Sequence, residues 1–469
     1  QPRRVTDQPP SSAATGNGAR RRHRILVLAK AGAGSMMSSP GIRALNVARV
    51  LARALPESDV VLAVPGSTDL VPDAPFHVAT YTARSLPRLV LGFDVVISQG
   101  FPPTTLPAFF GRRFVLDFFT NFLIEGLEYR REHVTPALRQ AWLDSQRTYL
   151  NLQLTLADFV ICANERQRDA WLGMMSCLGL VTGAVYDRDN TLRALIDTAP
   201  YGVRPDAIPS ADERAAQPVL KGVFPGIGRQ DTVILWNGGI LKWYDPLTVI
   251  RAMARIVPRR PDVKLLFLGT KYPVTGFDPG ATVDEAYALS RELGLLGHHV
   301  LFNEGWLPYN LSGRYMAEAD IGVSAYYDNL ETHFSYRTRL VDFLWAETPV
   351  VCTRGDVIAE MVERRELGIA VPERDVDAMT SALLRLIEDR AFYERCKRNL
   401  RALKPELAWE RTLAPLVAFC RRDAASKGQG ATIARGKWWR APDLVSRTAR
   451  YVLARAVEKG LVLASRART

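Results

Sequence analysis

Apolar residues in this chain gather in short continuous runs, separated by stretches where they recur every three or four positions. Ile25–Ala29, Val60–Val64, Val95–Ser98, Phe114–Leu116 and Phe159–Ala163 are runs of this kind. They do not alternate with polar residues, which predicts strands buried on both faces of a parallel sheet. Between them, Ile42–Leu55 places Ala44, Leu45, Ala48, Leu51 and Ala52 on one helical face, and Pro136–Leu156 reads as a long amphipathic helix. The Pro- and Gly-punctuated stretch Thr198–Asp206 interrupts the alternation, which then restarts. Strands are predicted at Thr232–Trp236, Lys264–Leu268, Val300–Phe302, Ile321–Ser324 and Val350–Thr353. Helices are predicted at Pro246–Val257, Val283–Leu293, Leu311–Ala317, Thr338–Trp345 and Val376–Asp389. The pattern therefore predicts two doubly wound α/β domains joined near Tyr201. No internal repeat is visible.

A chain of 469 residues exceeds one ordinary core, in keeping with two domains. Hydrophobic content of 47% and charged content of 23% are those of a globular protein. The net charge of +12 sits at the ends. Residues 1–24 carry six Arg against one Asp, and residues 421–469 carry twelve Lys and Arg against three Asp and Glu. The region between is slightly negative, so no basic cleft for nucleic acid is expected. Peripheral positive charge suits an anionic membrane surface, or simple solvation of the tails.

Residues 1–24 read as a disordered basic start, and residues 426–469 as a basic tail. Within 437–464, Val445, Ala449, Val452, Leu453, Ala456, Val457 and Gly460 share one helical face. Arg447, Arg450 and Arg455 lie toward the other face, and Trp438-Trp439 precede the helix. That pattern fits an interfacial helix equally as well as a terminal helix docked on its own domain or on a partner. The five cysteines have no CxxC or regular spacing, so buried free thiols in a reducing compartment are expected. No apolar run reaches the roughly 18 residues of a membrane span, and the first residues lack a signal peptide's apolar segment. The expected place is the cytoplasm, with a peripheral position at the inner face of the plasma membrane as the alternative the basic tail suggests.

Open parallel sheets bind ligands beyond the carboxyl ends of their strands. In the first domain that position holds Gly32-Ala33-Gly34, followed by Gly41-Ile42 at a helix start. Small residues there allow an anion to approach the backbone closely, though the same motif is often only a tight turn. In the second domain Gly238-Gly239 follows a strand, and Lys242 beyond them could give a diphosphate its countercharge. A denser cluster follows: Glu331, His333, Ser335, Tyr336, Arg337, Arg339 and Asp342. Ser335 is expected as an N-cap, which would put helix amides and Arg337 at a positive helix end. Asp117 ends a first-domain strand at the equivalent position, and as it stands reads equally as a turn-capping residue. Asp187-Arg188-Asp189 matches a short metal motif but lies in a polar loop, where capping and solvation explain it better. No His/Cys/Asp set has metal-ligand spacing, so neither metal nor cofactor is expected.

Taken as a set, several stretches resemble a retaining GT-B glycosyltransferase of family 4 over residues 25–420. They are Ser39-Pro40-Gly41-Ile42-Arg43-Ala44, Pro200-Tyr201-Gly202-Val203, Asn237-Gly238-Gly239-Ile240-Leu241-Lys242, Gly305-Trp306-Leu307-Pro308, Ala319–Ser324, and Asp342–Val351. The resemblance implies two Rossmann-like domains facing across a cleft, with residues 25–200 on the acceptor side and 201–425 on the donor side. It implies a nucleotide-diphosphate sugar as donor, a saccharide or lipid-linked acceptor, and retention of configuration. Lys242 and Arg337 would serve the diphosphate, Asp117 would stand near the reacting sugar, and the loop carrying Trp306 and Leu307 would meet the base. Two departures stand out. Gly239 occupies the place of a family arginine, and Phe334 that of the first of two glutamates, with Asp342 at the second. Glu331, His333, Arg337 or Arg339 are the candidates to replace them. The same departures would suit a non-catalytic nucleotide-sugar-binding scaffold with a degenerate site, and an epimerase on the same fold is a third reading.

Overall fold

Val, Ile and Leu runs too apolar to face water settle into the middle of two all-parallel sheets. The computed structural model describes residues 22–101, 105, 108, 111–131, 134–270, 281–425 and 441–466. Most of the basic start, and the tail segment 426–440 with Trp438-Trp439, lie outside the described residues. The first sheet contains β1 (His23–Leu28), β2 (Ser58–Pro65), β3 (His77–Tyr81), β4 (Val95–Ser98), β5 (Arg113–Phe118), β6 (Phe159–Cys162) and β7 (Ile196–Thr198). Their order across the sheet is β3-β2-β1-β4-β5-β6-β7. The second contains β8 (Thr232–Gly239), β9 (Val263–Gly269), β10 (Val300–Phe302), β11 (Ile321–Ser324), β12 (Val350–Thr353) and β13 (Gly368–Val371), ordered β10-β9-β8-β11-β12-β13.

Each sheet reverses its winding once, beside β1 and beside β8, and each reversal leaves a crevice at the strand carboxyl ends. The two crevices face each other. This is the GT-B architecture, two Rossmann-like domains across a cleft. Of the strands not predicted from sequence, β3, β7 and β13 are all sheet edges. An edge strand needs no long apolar run, because one side lacks a neighbouring strand.

After β13 the Val376–Glu388 and Arg390–Leu403 helices still pack on the second domain, but the chain then leaves it. Near the join, the Val203 amide donates to the Leu407 carbonyl at 2.8 Å. Gly202 lies so close to Trp409 that an added Cβ would stand 2.7 Å from its ring. The Ala414–Ala425 helix then returns to the first domain, where Phe419 stacks on Phe159 with ring centroids 5.0 Å apart. Residues 201–425 thus form one stretch of sequence, but its last helices pack on the other domain.

The terminal helix Ala441–Arg466 also packs on the first domain, along the Pro136–Leu156 helix, with Tyr451 against Tyr149 at 5.5 Å. No helix among the described residues is long and apolar enough to cross a membrane. Of the five free cysteines, Cys162, Cys352, Cys396 and Cys420 are buried and Cys177 is exposed.

Candidate functional site

A cavity of about 600 Å³ occupies the cleft. Its first-domain wall comes from the loop after β1, the end of β5 and the Phe122–Tyr129 helix; its second-domain wall comes from the end of β8 and residues 334–342. The domains touch across it. Ser39 and Thr338 share a hydroxyl hydrogen bond of 3.0 Å, the Tyr309 amide donates to the Ser35 carbonyl at 2.9 Å, and the Gln167 amide donates to the Phe334 carbonyl at 2.8 Å.

Gly238, Gly239, Trp306, Leu307, Glu331, Ser335, Tyr336, Arg337, Arg339, Asp342 and Asp117 all line this cavity. Gly32, Gly34 and Gly41 do not. They shape the loop instead: a Cβ on Gly41 would lie 2.2 Å from the Gly32 carbonyl oxygen, and one on Gly34 would lie 1.9 Å from the Asp69 carboxylate. That fit presents Ala31, Met37, Ser38, Ser39 and Pro40 to the cleft. His333 is exposed and off the cavity wall; its carbonyl accepts from Arg166 at 3.0 Å. Lys242 sits in a turn ahead of the Pro246–Ile256 helix. Its ammonium donates to the Tyr129 carbonyl at 3.3 Å, so the side chain points toward the first-domain helix and not into the lining.

Ser335 is not an N-cap. It terminates the short Leu330–Phe334 helix, and its hydroxyl donates to Glu331 Oε1 at 2.6 Å. The next helix, Thr338–Trp345, is capped by Arg337, which offers no side-chain acceptor to it. The Leu340 amide turns back to the Arg337 carbonyl at 2.9 Å, and the positive end of this helix faces the cleft.

The two arginines of this stretch differ sharply. Arg337 is buried and donates to both Glu331 oxygens, at 3.0 and 2.6 Å, and to Thr332 Oγ1 at 2.9 Å. Its Nε lies 3.7 Å from the buried Asp356, whose carboxylate caps the Val357–Arg364 helix. Its charge is therefore already balanced by carboxylates. Arg339 instead lies with its guanidinium 3.8 Å from the Tyr244 ring centroid, and donates to the Gly239 carbonyl at 2.8 Å. A Cβ on Gly238, whose φ is +76°, would be 3.9 Å from that guanidinium. Arg339 thus stands in space beside Gly239, the residue that replaces the family arginine.

On the first-domain wall, Asp117 is buried, and both its oxygens accept from Arg43 Nε, at 3.0 and 2.7 Å. Arg43 in turn donates to the Ala199 carbonyl at 2.9 Å. Asp117 therefore helps fix the first helix to the interdomain join. Asp342 accepts from Asn237 at 3.1 Å, and loss of solvent raises its pKa above the ordinary carboxylate value.

Glu125, not anticipated from the sequence, faces the cavity from the Phe122–Tyr129 helix. Loss of solvent, helped by the neighbouring Glu331 carboxylate, pushes its pKa up to about 7, with Lys30 and Arg337 opposing the rise. Desolvation lowers Lys30 in turn. Glu125 was detectable as a lone carboxylate in the apolar run Phe122-Leu123-Ile124-Glu125-Gly126-Leu127, just past a strand end.

Charging Glu125 in the cleft is unfavourable, so its raised pKa costs stability as pH climbs from the unfolded value of about 4.5 through 7. The melting temperature of wild type relative to Glu125→Gln is expected to fall between pH 5 and pH 8. A pH-independent difference would overturn this account.

Asp187-Arg188-Asp189 is away from the cavity; Asp189 accepts from the Thr191 and Ala194 amides at 3.0 and 2.7 Å.

The fold is the one shared by GT-B glycosyltransferases. Residues 231–389, about a third of the chain and spanning all six strands of the second sheet, match the family described as "Glycosyl transferases group 1". Solved structures agree across both domains. Sucrose-phosphate synthase from Thermosynechococcus elongatus superposes with a TM-score of 0.58 at 19% identity, covering 86% of this chain and 100% of that one. HepE of Anabaena in complex with UDP and glucose gives 0.55 at 14%, covering 87% and 99%. A trehalose-6-phosphate structure from E. coli bound with UDP-2-fluoro glucose gives 0.55 at 12%, covering 85% and 99%. A search of curated protein sequences finds no match. The GT-B fold expected from the sequence is the fold these structures share, and the second domain carries the match to the group 1 family.

Proposed function

We propose that the protein is a retaining, metal-independent glycosyltransferase. Its donor is a nucleotide-diphosphate sugar of the UDP or GDP type. Its acceptor is a saccharide or lipid-linked saccharide in cell-envelope polysaccharide or glycan assembly, reached from the cytoplasmic side. The observation that carries this reading is Arg339, whose guanidinium lies beside the Gly238-Gly239 turn, at the cavity wall and next to the start of the Thr338–Trp345 helix.

A departing diphosphate gains negative charge as the sugar–oxygen bond breaks, and a fixed guanidinium with helix amides is placed to receive it. The protein itself then supplies the countercharge. Trp306 and Leu307 would wall the base, Asp342 the donor's hydroxyls, and Glu125 with Lys30 the acceptor side. Lys242 would have to leave the Tyr129 carbonyl to join them. The structural neighbours solved with UDP and glucose, and with UDP-2-fluoro glucose, favour UDP.

The test is a melting panel of UDP, GDP, ADP and dTDP, each with EDTA, on wild type and Arg339→Ala. A ligand at a hundred times its dissociation constant adds about 2.7 kcal/mol. A shift with UDP that Arg339→Ala loses is the expected result; no shift with any diphosphate would remove the donor reading. Binding without transfer to any acceptor would instead favour the scaffold, for which the Gly239 and Phe334 departures speak.

A further inference from the structure

The terminal helix Ala441–Arg466 is packed with its polar face inward. Against the Pro136–Leu156 helix it turns Thr448, Tyr451, Arg455 and Glu458; Glu458 is buried and paired with Arg455 at 2.6 Å. Its apolar face is left outside. Val445, Val452, Leu453, Val457 and Leu463 are 52–70% exposed, and Ala449, Ala456 and Gly460 between them are exposed as well. Positions 445, 449, 452, 456, 460 and 463 follow the helical repeat, so the stripe is straight and runs about 27 Å. A terminal helix that only completed its own domain would turn this face inward, because burying such side chains stabilises by about 1.5–3 kcal/mol each.

We infer that this stripe lies in the surface of an anionic bilayer. The chemistry selects that partner. The stripe is aliphatic, Arg450 and Lys459 are exposed beside it, and the helix carries five Lys and Arg against two Asp and Glu. An interfacial helix combines an apolar face with cationic flanks, and acidic headgroups meet both at once.

The mount also has a defined relation to the cleft. The Pro136–Leu156 helix, which holds the stripe on one side, presses Trp142 against Gly126 of the Phe122–Tyr129 helix on another; a Cβ on Gly126 would lie 2.2 Å from that ring. The latter helix carries Glu125 into the cavity. A bilayer on the stripe is therefore two packed helices away from the acceptor side. The inference deepens the proposed lipid-linked acceptor, but rests on a separate surface.

The full chain is sedimented with phosphatidylcholine vesicles, alone or containing phosphatidylglycerol. Wild type should pellet with the anionic vesicles and about tenfold less with neutral ones. Val452→Asp with Leu453→Asp should cut that partitioning by about tenfold or more, with the melting temperature and any UDP-induced shift unchanged. Both positions point outward, so folding should tolerate the change. Wild type left in the supernatant, a double variant that pellets like wild type, or equal binding to neutral vesicles would each overturn the inference. So would a wild-type dimer in light scattering that the double variant dissolves without vesicle binding, since the stripe would then cover a second copy. Vesicle and diphosphate binding are read independently, so either can fail without the other.

Discussion

Replacing Arg337 by alanine should lower the unfolding free energy by about 3–5 kcal/mol in urea titration at neutral pH. Glu331 and Asp356 are both buried beside it, and removing the cation leaves two carboxylates without their counterion. Arg337→Lys should recover little, because an ammonium cannot reproduce the planar fork that holds both Glu331 oxygens. A loss below about 1 kcal/mol for alanine would show that water or rearrangement satisfies the carboxylates, and that the network contributes little. Arg337 therefore acts mainly by holding the shape of the donor wall.

Arg339→Ala should have the opposite profile. Transfer from the donor should fall by about 10²–10³, the cost of removing one preorganised group that stabilises developing charge. Stability should change much less than for Arg337→Ala, by about 1 kcal/mol, because Arg339 bonds a carbonyl and stacks near Tyr244 and Trp236 and is not locked to a buried carboxylate pair as Arg337 is. Measuring initial rates and urea midpoints on the same preparation separates the effects. Wild-type turnover in Arg339→Ala would return the diphosphate role to Lys242, which would then have to swing away from Tyr129. Those outcomes would divide two arginines, two positions apart, between scaffold and chemistry.

The sequence shows the architecture well, since a strand buried on both faces has to be apolar throughout. Ile25–Ala29 and Val350–Thr353 could hardly be anything else. The Pro136–Leu156 and Thr338–Trp345 helices were legible to the residue. The site was legible as a region and less so as roles. Ser335 has the chemistry of an N-cap, but Glu331 four residues earlier claims its hydroxyl, and that pairing depends on how the 330–334 turn closes. Arg337 and Arg339 look alike in sequence; the fold shows that Arg337 is the one locked between Glu331 and Asp356, the latter from beyond the next strand. Asp117 is similar, because its partner Arg43 lies 74 positions away. Glu125 could have been seen as a charge inside an apolar run, yet its raised pKa comes from burial in the cleft, helped by Glu331 in the other domain. Long-range pairing is what the pattern of one chain does not encode locally.

The return of the last helices to the first domain constrains how the protein is made. Leu413, Leu416 and Cys420 are buried in the same apolar cluster as Leu51, Leu55 and Phe159, and Arg421 donates to the Ala54 carbonyl at 3.3 Å. A ribosome delivers the first seven strands long before it delivers those residues. At an elongation rate of about 5–20 residues per second, the roughly 200 residues of the second domain occupy some ten to forty seconds. Throughout that interval the back of the Ser39–Ala54 helix has no cover of its own. The amino-terminal domain begins folding first and finishes last, so the newborn chain depends on whatever shields that face until the carboxyl-terminal helices emerge.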